Sequence, residues 1–388
     1  MHSFTSLRGG FSRLIANIFV YPLYEYSNFC IILFTLCAIY GIVPQLANMV
    51  TVLEEEMKHT RTLLLIGLVF ALIAPLSLFG AGKSEANESG YRIGVSKLLP
   101  HPALDAVEQG LQDYLKTTAL SVSYDLQNAN GDISTASSIA QKFKSDKVDV
   151  AVGIATPSAQ ALAQVFGPTS STAVVFSAVT DADEAGLVAA NIAGVSDMNP
   201  VEDQIKLLID ITGAKRIGNI YASGEANGVV LMEMAKAACA KLGVEFVASA
   251  VSNTSEVKMA AQSIIDRVDA VYIATDNAVI SAITSVDDVV TKANKVLFVA
   301  DPSGMDGLNA MIAWGFDYYN IGIETGKVIE QILTGTKAGD IGTVYITDPV
   351  KFELWFNLDT AGQLGYTVPQ SLQDAAAVLI KDGKKISK

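Results

Sequence analysis

From residue 91 onward, short apolar runs alternate with stretches in which apolar positions recur three and four apart, so strands should alternate with helices. Arg92–Ser96 reads as a strand, Pro102–Thr117 as a helix with Leu104, Val107, Leu111 and Leu115 on one face, and Val122–Leu126 as a second strand. Helix Ile133–Lys144, strand Val148–Gly153, helix Ser158–Phe166 and strands Thr172–Phe176 and Asn191–Val195 follow. After a connecting helix over Pro200–Ile211 the pattern restarts: strand Arg216–Tyr221, helix Ala226–Leu242, strand Val244–Ala250, helix Ser255–Arg267, strand Ala270–Ala274, helix Ala278–Ala293 and strand Val296–Ala300. Three further elements, helix Asn320–Leu333, a strand over Lys351–Leu358 and helix Pro369–Ile380, are expected to cross back and complete the first half.

Such alternation predicts an α/β fold of two doubly wound parallel-sheet lobes. The first three strands begin at 92, 122 and 148 in one half and at 216, 244 and 270 in the other, so intervals of 30 and 26 residues are matched by 28 and 26. Lobe 1 is expected over 91–198, completed by part of 300–388, and lobe 2 over 199–325. Two like lobes in one chain imply a hinge and a cleft between them.

The N-terminal region has a different character. Phe29–Val43 is apolar but short for a membrane span. Met57-Lys58-His59-Thr60-Arg61, the apolar run Leu63–Leu78 and the small residues Gly80-Ala81-Gly82 or Ser84-Glu85-Ala86 form a secretory signal peptide over 57–82, followed by a polar linker over 83–90. Residues 1–56 then read as an upstream mis-start extension, or as a membrane segment that anchors the protein. The product is expected outside the cytoplasmic membrane, in the periplasm or its equivalent, as a monomer. No cysteine follows the apolar run to carry a lipid.

Charge and cysteine content narrow the function. Residues 1–82 hold four Lys/Arg and four Asp/Glu, so the net charge of −13 belongs to the body, which disfavours nucleic acid as partner. Of Cys30, Cys37 and Cys239 only the last lies in the body, on an Ala-rich helix face, which leaves neither an internal disulfide nor a cysteine metal cluster there. No nucleophile–base pair and no glycine fingerprint for a cofactor is present; Gly322-Ile323-Glu324-Thr325-Gly326-Lys327 has the wrong spacing for a phosphate loop and reads as the opening of a helix. The chain is therefore expected not to be an enzyme.

In open parallel sheets, ligands bind beyond the carboxyl ends of the strands. In lobe 1 that rule selects His101, Thr156, Ser177 and Asp181; in lobe 2 it selects Ser223, Glu225, Asn227, Thr275, Asp276, Asn277 and Asp301. Hydroxyls and helix-terminal N–H groups suit a carboxylate, and Asp181, Asp276 or Asp301 suits an ammonium, so the set is complementary to a zwitterion. Each polar residue also has an ordinary reading as a cap or Asx turn. His101 is the body's only histidine and has too few companions for a metal. Trp314, Phe316, Tyr318 and Tyr319 form an aromatic cluster that faces either core or cleft, with core the default; a ring on the cleft would stack on an aromatic or apolar ligand side chain.

His101-Pro102-Ala103-Leu104-Asp105, Val179-Thr180-Asp181, Gly194-Val195-Ser196-Asp197 with Pro200-Val201-Glu202-Asp203-Gln204, Ser223-Gly224-Glu225-Ala226-Asn227, Tyr272-Ile273-Ala274-Thr275-Asp276-Asn277 and Asp317-Tyr318-Tyr319-Asn320-Ile321-Gly322 resemble motifs of one group of ABC-transporter substrate-binding proteins, which includes tryptophan- and tyrosine-binding members. The resemblance covers about residues 91–366. It implies a type I periplasmic-binding-protein-like fold, closure of two lobes on an amino acid, especially an aromatic one, and delivery to an ABC permease driven by a separate ATPase. Two departures stand out: the lipoprotein cysteine of many members is missing, and Gly228 stands where a serine often follows the Glu-Ala-Asn motif. Other classes compatible with the same residues are a ligand-sensing module for a membrane receptor and a two-domain α/β enzyme.

Overall fold

The computed structural model describes residues 90–347 and 351–388. The expected extension, signal peptide and most of the linker lie outside the described residues. The described residues form two sheets. The first runs in the order β2 (Val122–Asn128), β1 (Tyr91–Lys97), β3 (Val150–Ile154), β4 (Ala173–Val179), β5 (Ile192–Ser196), with β11 (Thr343–Tyr345) added at the edge, all parallel. The second repeats that order with β7 (Glu245–Val251), β6 (Arg216–Ala222), β8 (Ala270–Ile273), β9 (Val296–Val299) and β10 (Ile312–Phe316), then adds β12 (Phe352–Asn357), β13 (Val378–Lys381) and β14 (Lys384–Ser387).

The central strands are continuously apolar because both their faces are covered. Every residue of β3, β4 and β5 is buried. Val150, Val152 and Ile154 face one side of the first sheet with Leu104 and Leu111, whereas Ala151 faces the other with Phe143 and Leu162. The helices that supply these layers are α1 (Pro102–Lys116), α2 (Ile133–Asp146) and α3 (Thr156–Phe166). In lobe 2 the corresponding helices are α4 (Val201–Thr212), α5 (Ala226–Leu242) and α6 (Val257–Ile264), then α7 (Asn277–Ser281) and α8 (Ile283–Lys292).

The chain crosses between the sheets three times: between β5 and α4, between β10 and α9 (Tyr318–Leu333), and between β11 and β12. Helix α9 lies on lobe 1, packed along α1, so an expected lobe 2 boundary at 325 cuts through a lobe 1 helix. Glycines make that packing close. A Cβ on Gly110 would lie 2.2 Å from the Tyr319 carbonyl oxygen, and one on Gly322 would lie 2.3 Å from that of Val107. The Gly322–Lys327 run therefore sits inside α9 and serves helix contact instead of opening a helix.

Other elements differ from expectation for local reasons. The strand expected over 351–358 forms, as β12, but in lobe 2, antiparallel to β10. The helix expected over 369–380 shortens to α12 (Gln370–Ala375) after a short α11 (Leu358–Gln363); its remainder becomes strand β13. Asp382-Gly383, both at positive φ, makes a two-residue hairpin between β13 and β14, with Lys381 opposite Lys384. Residues 338–341 form the one-turn α10 before β11. The expected helix over 278–293 breaks at Ala282 (φ −112°, ψ 17°), with both pieces keeping their apolar sides on the core.

Candidate functional site

Where the carboxyl ends of the two sheets face each other, lobe 1 offers short polar side chains and the carboxylate of Asp197, and lobe 2 offers further carboxylates. On lobe 1, His101 follows β1 as N-cap of α1, and Pro102 behind it restricts it to extended backbone (φ −156°, ψ 160°). Its side chain makes no cap bond. Beyond β3, Ala155 turns the chain at φ 76° into α3, whose first residues Thr156 and Ser158 are buried with hydroxyls that have no partner. Ser96, at the end of β1, is likewise buried and unpaired. Ala178, next to last in β4 where its pairing with β5 shifts register, is another non-glycine at positive φ, 54°. A non-glycine held there costs about 1–2 kcal/mol, and both such residues stand at strand ends facing the cleft.

On lobe 2, Asp276 caps α7, accepting from the Val279 N–H at 3.1 Å, and also accepts from the Ala222 N–H at the end of β6 at 2.6 Å. Glu225 accepts from Asn277 Nδ2 at 2.5 Å and from the Ala278 N–H at 3.1 Å. Asn227 donates to the Thr275 carbonyl at 3.2 Å while its own Oδ1 is unpaired. Asp301 folds back on Ser303, accepting from its N–H at 2.9 Å and its hydroxyl at 2.5 Å. Gly228 is forced by this crowding, because a Cβ there would lie 2.3 Å from Asp276 Oδ2. A serine at 228 would meet the same carboxylate.

The lobes enclose a small cavity of ≈ 10 Å³ and, toward the mouth, a larger one of ≈ 290 Å³. Six of the expected residues line the inner one: His101, Asn227, Thr275, Asp276, Asn277 and Asp301. Glu225 stands between the two, bonded to Asn277 and lining the outer one, whose lobe 1 wall is Leu98, Leu99, Ile133 and Pro157 with Asn130 and Gly131. Thr156 is buried next to Pro157.

Three expected residues are placed elsewhere. Ser177 is bonded to Thr325 of α9 at 2.6 Å inside lobe 1, because the side chain points to the covering helix and not along the strand end. Asp181 closes an Asx turn onto the N–H groups of Asp183 and Glu184, both at 3.0 Å. Ser223 is exposed, its hydroxyl 3.3 Å from the Val251 carbonyl. Conversely, Asp197 and Tyr318 line the inner cavity without having been selected. Tyr318 donates to Asp197 Oδ2 at 2.9 Å, and Thr180 donates to Oδ1 at 3.1 Å. Asp197 follows β5, so the strand-end rule applied to the fifth strand finds it. Tyr318, for which core was the default, is buried but on the cleft side.

The electrostatics are lopsided. Among the described residues lining the inner cavity there is no lysine or arginine, and His101 faces Asp197, Asp276 and Asp301. Burial pushes Asp197 up to about 6, and burial together with neighbouring Glu225 pushes Asp276 up to about 7. Glu225 is also raised, mainly by burial. Burial holds His101 below the ordinary imidazole range, opposed by the negative charge of Asp301. Carboxylates raised by burial take a cation readily, and buried hydroxyls without partners take an acceptor.

A family model described as "ABC transporter substrate binding protein" matches residues 92–380. A tyrosine-binding protein of Clostridioides difficile (strain R20291) is 33% identical over 289 residues, 72% of this chain and 82% of that one. Among solved structures, a conserved domain protein from Vibrio cholerae aligns at 36% identity and a TM-score of 0.70, covering 75% of this chain and 99% of its own. An ABC domain from Streptococcus pneumoniae, solved in complex with L-Trp, aligns at 30% identity and a TM-score of 0.70, covering 75% of this chain and 100% of its own.

Proposed function

The chain belongs to the ABC transporter substrate-binding protein family, and from that premise we propose that it captures an amino acid, specifically an aromatic one, between its lobes and hands it to a membrane permease powered by a separate ATPase. The observation that carries the ligand class is the division of labour across the cleft. Buried hydroxyls without partners stand on lobe 1, on Ser96 near the end of β1 and on Thr156 and Ser158 at the start of α3, and raised carboxylates stand on lobe 2 at Glu225 and Asp276, with Asp197 beyond β5. A zwitterion answers both: its carboxylate accepts from the hydroxyls and the helix N–H groups, and its ammonium lies against Asp276 or Glu225. Each such charge-assisted bond contributes about 1.5–3 kcal/mol, and closure strengthens it by removing water.

The relative named for tyrosine binding and the L-Trp complex support an aromatic side chain. Secretion through the signal starting at Met57, release as a monomer and the absence of any catalytic step belong to the same reading. The test is calorimetry of the purified protein against the twenty amino acids, with the recovered ligand checked by mass spectrometry. Tight binding of at least one aromatic amino acid, its recovery unchanged, and a loss of more than about tenfold in Asp276→Ala are expected. No binding to any amino acid would refute the ligand class.

A further inference from the structure

His101 is 8% exposed, and neither of its ring nitrogens has a hydrogen-bond partner. Both features follow from its position. As the residue before Pro102 it is kept extended at the N-cap of α1, yet its ring does not cap the helix and lines the inner cavity instead. The same cavity carries Leu104 of α1 and Ile280 of α7 beside the carboxylates of Asp197, Asp276 and Asp301 and the amide of Asn277, so the imidazole stands where apolar side chains from both lobes meet the polar part of the cavity. The anionic groups and hydroxyls suited to the ends of a zwitterion belong to other elements: Thr156 and Ser158 at α3, Glu225 and Asp276 in lobe 2.

Building on the amino-acid-binding reading, we propose that His101 is a specificity-determining residue that reads the hydrogen-bonding tip of the ligand's side chain, selecting rings that carry O–H or N–H over a bare phenyl. Burial keeps the ring neutral, so it presents one donor N–H and one acceptor nitrogen. A phenol can donate to the acceptor or accept from the donor, and an indole N–H can donate to the acceptor. Phenylalanine offers neither and leaves both nitrogens buried and unsatisfied. A site built to pair a polar group discriminates strongly against the analogue that lacks it.

The test is the affinity of the full chain for L-tyrosine, L-tryptophan and L-phenylalanine, measured by calorimetry on wild type, His101→Phe and His101→Gln. Wild type should bind tyrosine or tryptophan at least about tenfold more tightly than phenylalanine. His101→Phe should bring that ratio close to one while phenylalanine binding is kept or improved. His101→Gln, which retains a donor and an acceptor, should restore most of the preference and guards against a folding defect. Equal weakening of all three ligands in His101→Phe would overturn the inference alone, since the histidine would then be reading the common amino-acid moiety. Failure of all three to bind wild type would overturn the amino-acid reading and the inference with it.

Discussion

Replacing Gly228 by alanine sets two local effects of opposite sign against each other. Gly228 is the third residue of α5, and by helix propensity alone alanine is favoured there by about 1 kcal/mol. The added Cβ, however, would lie 2.3 Å from Asp276 Oδ2 and 3.0 Å from the Ala222 carbonyl oxygen. Neither atom is free to retreat, because that same Oδ2 accepts the Ala222 N–H at 2.6 Å and the other carboxylate oxygen caps α7. Overpacking costs about 1–3 kcal/mol, and loosening a bond to a buried carboxylate costs about 1.5–3 kcal/mol more. The net expectation is a destabilisation of about 2–4 kcal/mol, a fall in Tm of roughly 3–6 °C for a body of this size. Gly224 supplies the control, since nothing lies within 4 Å of a Cβ built there. Scanning calorimetry should show Gly224→Ala within about 0.5 kcal/mol of wild type, while Gly228→Ala melts well below both and binds ligand more weakly. A Gly228→Ala protein that melts at or above wild type would refute the argument, because propensity would then have outweighed the contact.

Two further outcomes follow from the buried polar groups. Thr325 donates to the Ile321 carbonyl at 2.8 Å, so Ser177 is the donor in the 2.6 Å bond between the two hydroxyls. Ser177→Ala leaves Thr325 satisfied and should cost about 1 kcal/mol, whereas Thr325→Val strands a buried hydroxyl and should cost about 1–3 kcal/mol; denaturant titration showing the reverse order would contradict this assignment. Asp276 at about 7 and Asp197 at about 6 both lie above the ordinary 3.8, so the folded protein holds protons that the unfolded chain has already released. Their contribution to stability is present in acid and lost as pH rises through 6 and 7. A ligand ammonium favours the ionised carboxylates, so binding near pH 6.5 should release protons and tighten by up to about tenfold per pH unit between 5 and 7. Calorimetry in buffers of different ionisation enthalpy measures this directly, and proton uptake or no exchange at all would count against an ammonium at these groups.

What could be read from the sequence depended on whether the cause was local. The two repeated α/β lobes followed from alternation of period, and six residues of the inner cavity followed from where strands end. The misplacements share one cause, that a strand-end position does not say where a side chain points. Ser177 is still within β4 and turns toward α9; Asp181, two residues past β4, and Ser223, directly after β6, turn onto nearby backbone groups. Asp276 was selectable because a cap is a local event, but its second bond, to Ala222, spans 54 residues and had no sequence signal. The same holds for helix α9, whose assignment to lobe 1 rests on Gly110 meeting Gly322 across more than two hundred residues. The hairpin at Asp382-Gly383 was different: its signal was present, and an apolar helical reading of 369–380 concealed it.

The crossings between lobes are tied to the cavity by buried side chains, and this constrains how closure operates. Tyr272 in the lobe 2 core donates to Gln204 Oε1 at 2.6 Å, and Gln204 Nε2 donates to the Trp314 carbonyl at 2.6 Å and to Asn199 Oδ1 at 3.1 Å. Asn199 in turn donates to Thr275 Oγ1 at 3.4 Å. Everything in this chain is buried except the partly covered Trp314, and satisfied networks of this kind have one low-energy arrangement. Asn199 and Trp314 therefore move with lobe 2, and a rotation that preserves these bonds must bend the first crossing at 197–199 and the second at 315–318. Asp197 and Tyr318 stand on those two bending segments, bonded to each other at 2.9 Å, and both line the inner cavity. On the proposed reading, a ligand bound at this cavity touches the two residues that stand on the crossings, which would couple occupancy to the lobe angle.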